Sequence, residues 1–441
     1  MKRNQNLTKL ASLFIAAPVL GLSFASGSYA GSLQIEEAAK LAPATPVAPA
    51  TPAKTKTPST TDDAADPAQA SVAEAVSAKP QLALAQQKKL AAQLYGLTKT
   101  AKSSKQLTAM MAKCDSAVTA GLNKKYFAYV RSLKVWALNR RGNNRYETAK
   151  QLKAINNVTQ YGIAFEQAIA DFNESISIDT DRYHTFNTRG IAFVLDEQYL
   201  KAAQDFTKAV VLKADFTQGY FNRAEALSAL GKYELAVKDY TTVLRLTSDD
   251  AQALTGRGHA NVALEKFEVA LTDFNAVTKA YPNNVVAWVN RGDCHAATGD
   301  WESSLADYAS AKKLTQTDQL AGGSTQLSDL VAQRTAWVLA TASDASIRDA
   351  EKAIALIKPC VDRSGSPTVA MLETLAAAQA ATGDFAEAKQ SQSQVIKLVN
   401  AEISDDENLA EGSPHQVRMA LYQDEKVYVQ EKSNSSVSPQ K

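Results

Sequence analysis

The side chains of this 441-residue chain that could do chemistry are few and scattered, apart from one set that recurs. Four histidines, His184, His259, His295 and His415, include no pair four residues apart that could hold a metal on one helix face. Cys294 and His295 are neighbours, but on a helix adjacent side chains diverge by about 100°, a poor geometry for a chelate or a nucleophile with its base. Cys114, Cys294 and Cys360 are odd in number and far apart, and Cys294 and Cys360 stand where a small apolar residue would serve, so they read as buried free thiols. No glycine-rich phosphate loop or nucleophile elbow occurs, so no catalytic residue, metal or cofactor is expected. The recurring set is ionic. Arg189, Arg223, Arg257 and Arg291 return at a step of 34, and Asp171, Asp205, Asp239, Asp273 and Asp307 keep the same step. Each arginine lies 18 residues after one aspartate and 16 before the next, so packed helices could pair it with either. A ladder of partly buried ion pairs that fixes register is the chemistry this implies.

The elements that must position such a ladder repeat with it. Phe186, Tyr220, Leu254 and Trp288 are each followed four residues later by Gly190, Ala224, Gly258 or Gly292. Tyr199, Tyr233, Phe267 and Trp301 come next, then Ala202, Ala236, Ala270 and Ser304, then Phe206, Tyr240, Phe274 and Tyr308. Large and small residues at spacings of three and four are the sequence signature of two helices packed against each other. Gly231 and Gly299 fall between the two sets, where the chain must turn.

The period, the spacing and the small residues resemble the tetratricopeptide repeat, a helix–turn–helix unit that stacks into a superhelix. The resemblance is tightest over 183–318, with four regular units, and looser over 80–182 and 319–403. It implies an all-α, right-handed superhelical solenoid that binds another protein or peptide. In the family the first helix of each unit lines a concave groove. Carried over, those places are His184, Asn187, Ile191, Gln218, Phe221, Glu225, Gln252, Thr255, His259, Val286, Val289 and Asp293. The family's clamp for a C-terminal carboxylate is not expected, because Asn187 and Asn222 fit it but Ile191, Gln252 and Gly256 do not. Most units also lack the family's proline between repeats: Pro282 fits, whereas Ala214, Ser248 and Gln316 hold the matching places.

Outside the repeats the chain changes character. Residues 1–30 carry Lys2, Arg3 and Lys9, an apolar run from Leu10 to Leu22, and Ser28-Tyr29-Ala30, the layout of a secretory signal peptide cut after Ala30. The run is short for a membrane span and broken by Pro18, so no stable anchor is expected after cleavage. Cleavage removes three bases from 48 and no acid from 46, leaving 45 against 46, and this near-neutral balance disfavours a nucleic-acid partner. Residues 31–79, rich in Ala, Pro and Thr, read as a disordered tether.

The flanks of the regular units are also helical. From Pro80 the spacing is helical, with Ser103 as an N-cap, Gly121 as a stop and a third helix over about 124–141. Polar residues near 142–163 interrupt the repeat step as an insertion, of irregular or extended helical form, before a second helix marked by Phe165, Ala168 and Phe172. Arg140, Arg141, Arg145, Lys150 and Lys153 read as a solvated face. After a break at Gly322-Gly323-Ser324, helical pairs resume, Pro359 is expected to kink or end one of them, and 404–441 should hold a capping helix from Ser413-Pro414 and a disordered tail. The sequence thus predicts an exported, periplasmic or secreted, non-catalytic interaction scaffold. A structural or self-associating envelope component is the alternative, with an enzyme behind both.

Overall fold

A computed structural model describes residues 82–316, 325–402 and 412–433. The expected signal peptide, the expected tether and the expected break at Gly322-Gly323-Ser324 lie outside the described residues, as do the last eight residues of the expected tail. The described residues form two compact units, 82–230 and 231–433. The division falls at Leu230/Gly231, within the four regular repeats, rather than at either end of them.

The first unit holds α1 (Leu84–Thr100), α2 (Ser104–Thr119), α3 (Lys124–Ala154), α4 (Val158–Ile178), α5 (Tyr183–Leu195), α6 (Tyr199–Leu212) and α7 (Thr217–Ala229). Ser103 caps α2 reciprocally with Gln106, and Gly121 follows its end with φ +85°. The hairpin α5–α6 shows why the spacing encodes packing. A Cβ placed on Gly190 would meet the Phe206 ring at 2.6 Å, so only glycine lets the two helices approach this closely. Phe206 is thereby fully buried, which contributes about 1.5–3 kcal/mol.

The hairpin α3–α4 carries the same signature in disguise. Gly142 receives the Phe172 ring as Gly190 receives Phe206. Arg141 pairs with Asp171 across 30 residues, whereas Arg189 pairs with Asp205 across 16. The difference of 14 is shared equally: α3 runs 13 residues beyond Arg141 and α4 begins 13 before Asp171, against six and six in α5–α6. Helix α3 therefore continues past Arg141 to Ala154, and the polar insertion is helical on both sides of a turn at Ile155–Asn157. The N-terminal part of α3 packs Phe127, Val130 and Leu133 onto Leu107, Met110 and Cys114 of α2.

The second unit holds α8 (Tyr233–Leu246), α9 (Ala251–Ala263), α10 (Phe267–Ala280), α11 (Val285–Thr298), α12 (Trp301–Thr315), α13 (Thr325–Thr341), α14 (Ala350–Arg363), α15 (Val369–Ala381), α16 (Phe385–Glu402) and α17 (Pro414–Gln423). Gly258 and Gly292 seat the Phe274 and Tyr308 rings in the same manner. Positions 197, 231, 265 and 299 all take positive φ at the turns, filled by Glu197, Gly231, Glu265 and Gly299. Pro359 does not end α14, which continues to Arg363. Pro359 takes the helical donor from the Ala355 carbonyl, and both residues are exposed, so the lost bond falls on the solvent side of the helix. Helix α17 starts as its residues predict, with the Ser413 hydroxyl capping Gln416 N–H and Pro414 at the first turn.

Candidate interaction surface

The ionic set runs within hairpins: Arg189, Arg257 and Arg291 each reach the aspartate 16 residues on. Arg189 meets Asp205 through two N–H donors, both at 2.7 Å. Arg257 meets Asp273 at 3.0 and 2.7 Å, and Arg291 meets Asp307 at 2.8 and 2.5 Å. Asp171 is held by Arg141 and also by Arg145 at 2.6 Å. Such two-pronged bonds suit the planar guanidinium and fix the helix pair in register. Burial pushes the Asp205 carboxyl up despite the opposing Arg189, while the Asp307 bond pushes the Arg291 guanidinium up.

Each guanidinium also reaches backward. Arg189 donates to Asn173 Oδ1 at 2.6 Å and Arg291 to Asn275 Oδ1 at 3.0 Å. Arg223 and Arg257 donate to Thr207 and Thr241 Oγ1 at 3.3 and 3.2 Å. Asn173, Thr207, Thr241 and Asn275 keep the step of 34, each 16 residues before its arginine, a row that sequence reasoning passed over although the same period announces it. Asp239, from the same predicted set, is buried.

The first-helix residues divide between surface and interior. His184, Gln218, Phe221, Glu225, Thr255, His259 and Val286 are half-buried, and Gln252 is exposed. Ile191 and Val289 retain only 2% and 1% exposure and pack in the cores, so the expectation that they line an open groove is corrected. Asn187 and Asp293 are buried as well, each in a hydrogen-bond network. Gln218 Nε2 donates to Asn222 Oδ1 at 2.8 Å, and Asn222 Nδ2 to Asn187 Oδ1 at 2.9 Å, joining α5 and α7 by a chain of amides. Asp293 accepts from the Tyr308 hydroxyl at 2.6 Å and from Arg334 at 3.1 Å. Arg334 in turn bonds Gln333, and Gln333 bonds Thr374. Burial raises the Asp293 carboxyl and holds the Tyr308 phenol well above its ordinary range.

Aromatic contacts frame His184. Its ring lies 3.9 Å from Tyr183 and 5.8 Å from Phe216, centroid to centroid. Burial, with Lys213 and Arg182 adding repulsion, pushes its imidazole down to about 4. Burial also lowers His259 and drives the Cys114 and Cys360 thiols up to about 11, so these thiols stay protonated. Among the described residues no group of three His, Cys, Asp or Glu could hold a metal ion, and no helix is long and apolar enough to cross a membrane.

Helical hairpins that share one packing signature, repeated at one step, define an all-α solenoid of the kind that serves as a protein–protein interaction scaffold. The tetratricopeptide repeat profiles match residues 217–250 and 255–318, and the chain is a tetratricopeptide repeat protein. A tetratricopeptide repeat protein from Parabacteroides merdae is 15% identical with a TM-score of 0.43, covering 64% of this chain and 99% of its own. YrrB, described as a TPR protein with an unusual peptide-binding site, is 21% identical with a TM-score of 0.34, over 42% of this chain and 88% of its own. The first TPR of Spaghetti (RPAP3), bound to an HSP90 peptide, is 26% identical with a TM-score of 0.26, over 27% and 94%. No curated protein sequence matches the chain.

Proposed function

We propose that the chain acts in the cell envelope after export, binding an extended segment or a helix of another protein along the faces of its first helices. The amide chain on α5 and α7 carries this reading. The buried Asn222 and Asn187 hold Gln218 in place, so the half-buried Gln218 amide is pre-oriented for a peptide backbone. His184 and Phe221 flank the row with half-buried rings that an apolar side chain could cover. Export follows from the basic, apolar and small-residue order of residues 1–30, and predicts a mature protein that starts at Gly31 when its N-terminus is sequenced.

Site-specific photo-crosslinking tests the surface. A crosslinking residue at Gln218 or Gln252 should give an adduct with the partner, whereas one at Lys208, exposed on α6, should not. Adducts from position 208 alone would refute the reading. An adduct of two copies of this chain would favour self-association instead.

A further inference from the structure

The end of the described chain behaves like a bound peptide. Beyond α17 it turns at Glu425, φ 55°, and continues without helix to Ser433. Tyr422 is fixed in the α15–α16 core with Ala376, Ala380 and Ala388. Tyr428 then lies against Trp337 of α13 at 5.8 Å between ring centroids, with the Arg418 guanidinium 5.3 Å from the Tyr428 ring. Arg418 is itself ion-paired to Glu373 of α15, which also meets His415 Nδ1 at 2.6 Å. Further on, Gln430 N–H donates to the Thr341 carbonyl at 2.7 Å, and Ser433 N–H donates to the Ala297 carbonyl of α11 at 2.9 Å. The segment therefore crosses α15, α13 and α11 in turn, opposite to their order in the chain.

Both accepting carbonyls belong to last helical turns, where no intrahelical donor remains. They present a fixed pair of acceptors to any extended backbone that passes. Selectivity comes from side chains on one face of that backbone, two residues apart. Tyr428 supplies a ring to Trp337, and Gln430, 6% exposed, accepts the Trp337 indole N–H through Oε1 at 2.6 Å. Gly299 completes the track: a Cβ there would come within 3.0 Å of Lys432 Cβ. Backbone hydrogen bonds for affinity and side-chain seats for specificity are the parts of a peptide-recognition site.

We propose that the ends of α11 and α13 form a docking track for an extended peptide, and that residues Lys426–Ser433 are its occupant, a strap that an aromatic-x-Gln segment in trans must displace. The inference stands on the strap alone and is independent of the α5 and α7 surface above.

The test uses the full chain carrying Tyr428→Ala/Gln430→Ala and a fluorescent peptide with the sequence of residues 424–433. Anisotropy should show that the double variant binds the peptide at least tenfold more tightly than wild type does, because wild type keeps its own strap seated. The peptide carrying Gln430→Ala should bind the variant at least tenfold more weakly. Equal binding by wild type and variant, or no binding by a variant whose circular dichroism matches wild type, overturns the proposal. Should the double variant fail to fold, hydrogen exchange on wild type decides the matter. Protected amides at Gln430 and Ser433 that become labile in Trp337→Phe support the track, and unprotected ones in wild type overturn it.

Discussion

Replacing Arg257 by Ala should destabilise the second unit by about 2–3 kcal/mol, far more than an exposed charge contributes. Asp273 retains 3% of its side-chain exposure and accepts two bonds from Arg257, at 3.0 and 2.7 Å. Removing the guanidinium leaves that carboxylate buried without its cation, a loss that reaches about 3–5 kcal/mol in a sealed site. Arg257 is 24% exposed, so water can enter where it stood and the penalty falls below that range. Thr241 loses a donor in the same step. Because arrays of repeats unfold partly as a sum of neighbours, a single melting temperature is a blunt readout. Urea unfolding followed at 222 nm should be paired with hydrogen exchange over α8, α9 and α10. Lys238→Ala, an exposed site on α8, serves as the control and should change stability by less than about 0.5 kcal/mol. The double variant Arg257→Met/Asp273→Leu should recover most of the loss, since apolar side chains of similar size need no partner. An Arg257→Ala effect equal to that of Lys238→Ala would refute the structural role of the ladder.

Two further perturbations test packing and titration. Gly258→Ala should cost about 1–3 kcal/mol, because its Cβ would lie 2.7 Å from the Phe274 ring. Gly162→Ala, in α4 with open space around it, should instead stabilise by about 0.5–1 kcal/mol, and denaturant midpoints of both variants check the contrast. His184 is neutral in the folded chain down to about 4 but protonates near 6.5 when unfolded, so between those values the unfolded state binds more protons. Stability from this group is full above 6.5 and falls as pH drops toward 4, by about 1 kcal/mol once solvent access is allowed for. His184→Gln should flatten the slope between pH 7 and 5, and an unchanged slope would assign it to other groups.

The regular hairpins were legible because one pattern repeats, so each large residue found its small partner by arithmetic. The direction of the ladder was not, since offsets of 16 and 18 both place an aspartate on an adjacent helix and only packing selects 16. Arg141 and Asp171 were hidden by 14 extra residues that moved them off the common offset. Inside the second unit Glu373 meets His415 and Arg418, and Arg334 meets Asp293, at spacings that follow no period, and charged residues read as surface until a partner is seen. The strap left least trace of all. Its hydrogen bonds come from backbone N–H groups, which every residue but proline owns, and its side-chain code is two residues long.

The lengthened hairpin α3–α4 implies that such units grow in quanta. Seven residues were added to each helix between the Arg–Asp clamp and the turn. Seven residues turn a helix through 700°, within about 20° of two full revolutions, so every side chain keeps its bearing toward its neighbours. The tip is carried outward by about 10 Å while the clamp beneath it is undisturbed. An added length of five per helix would swing the tip's apolar stripe about 140° away from its partner. Hairpins of this solenoid can therefore be lengthened like a telescope with notched stops, and the stop is set by the pitch of the helix.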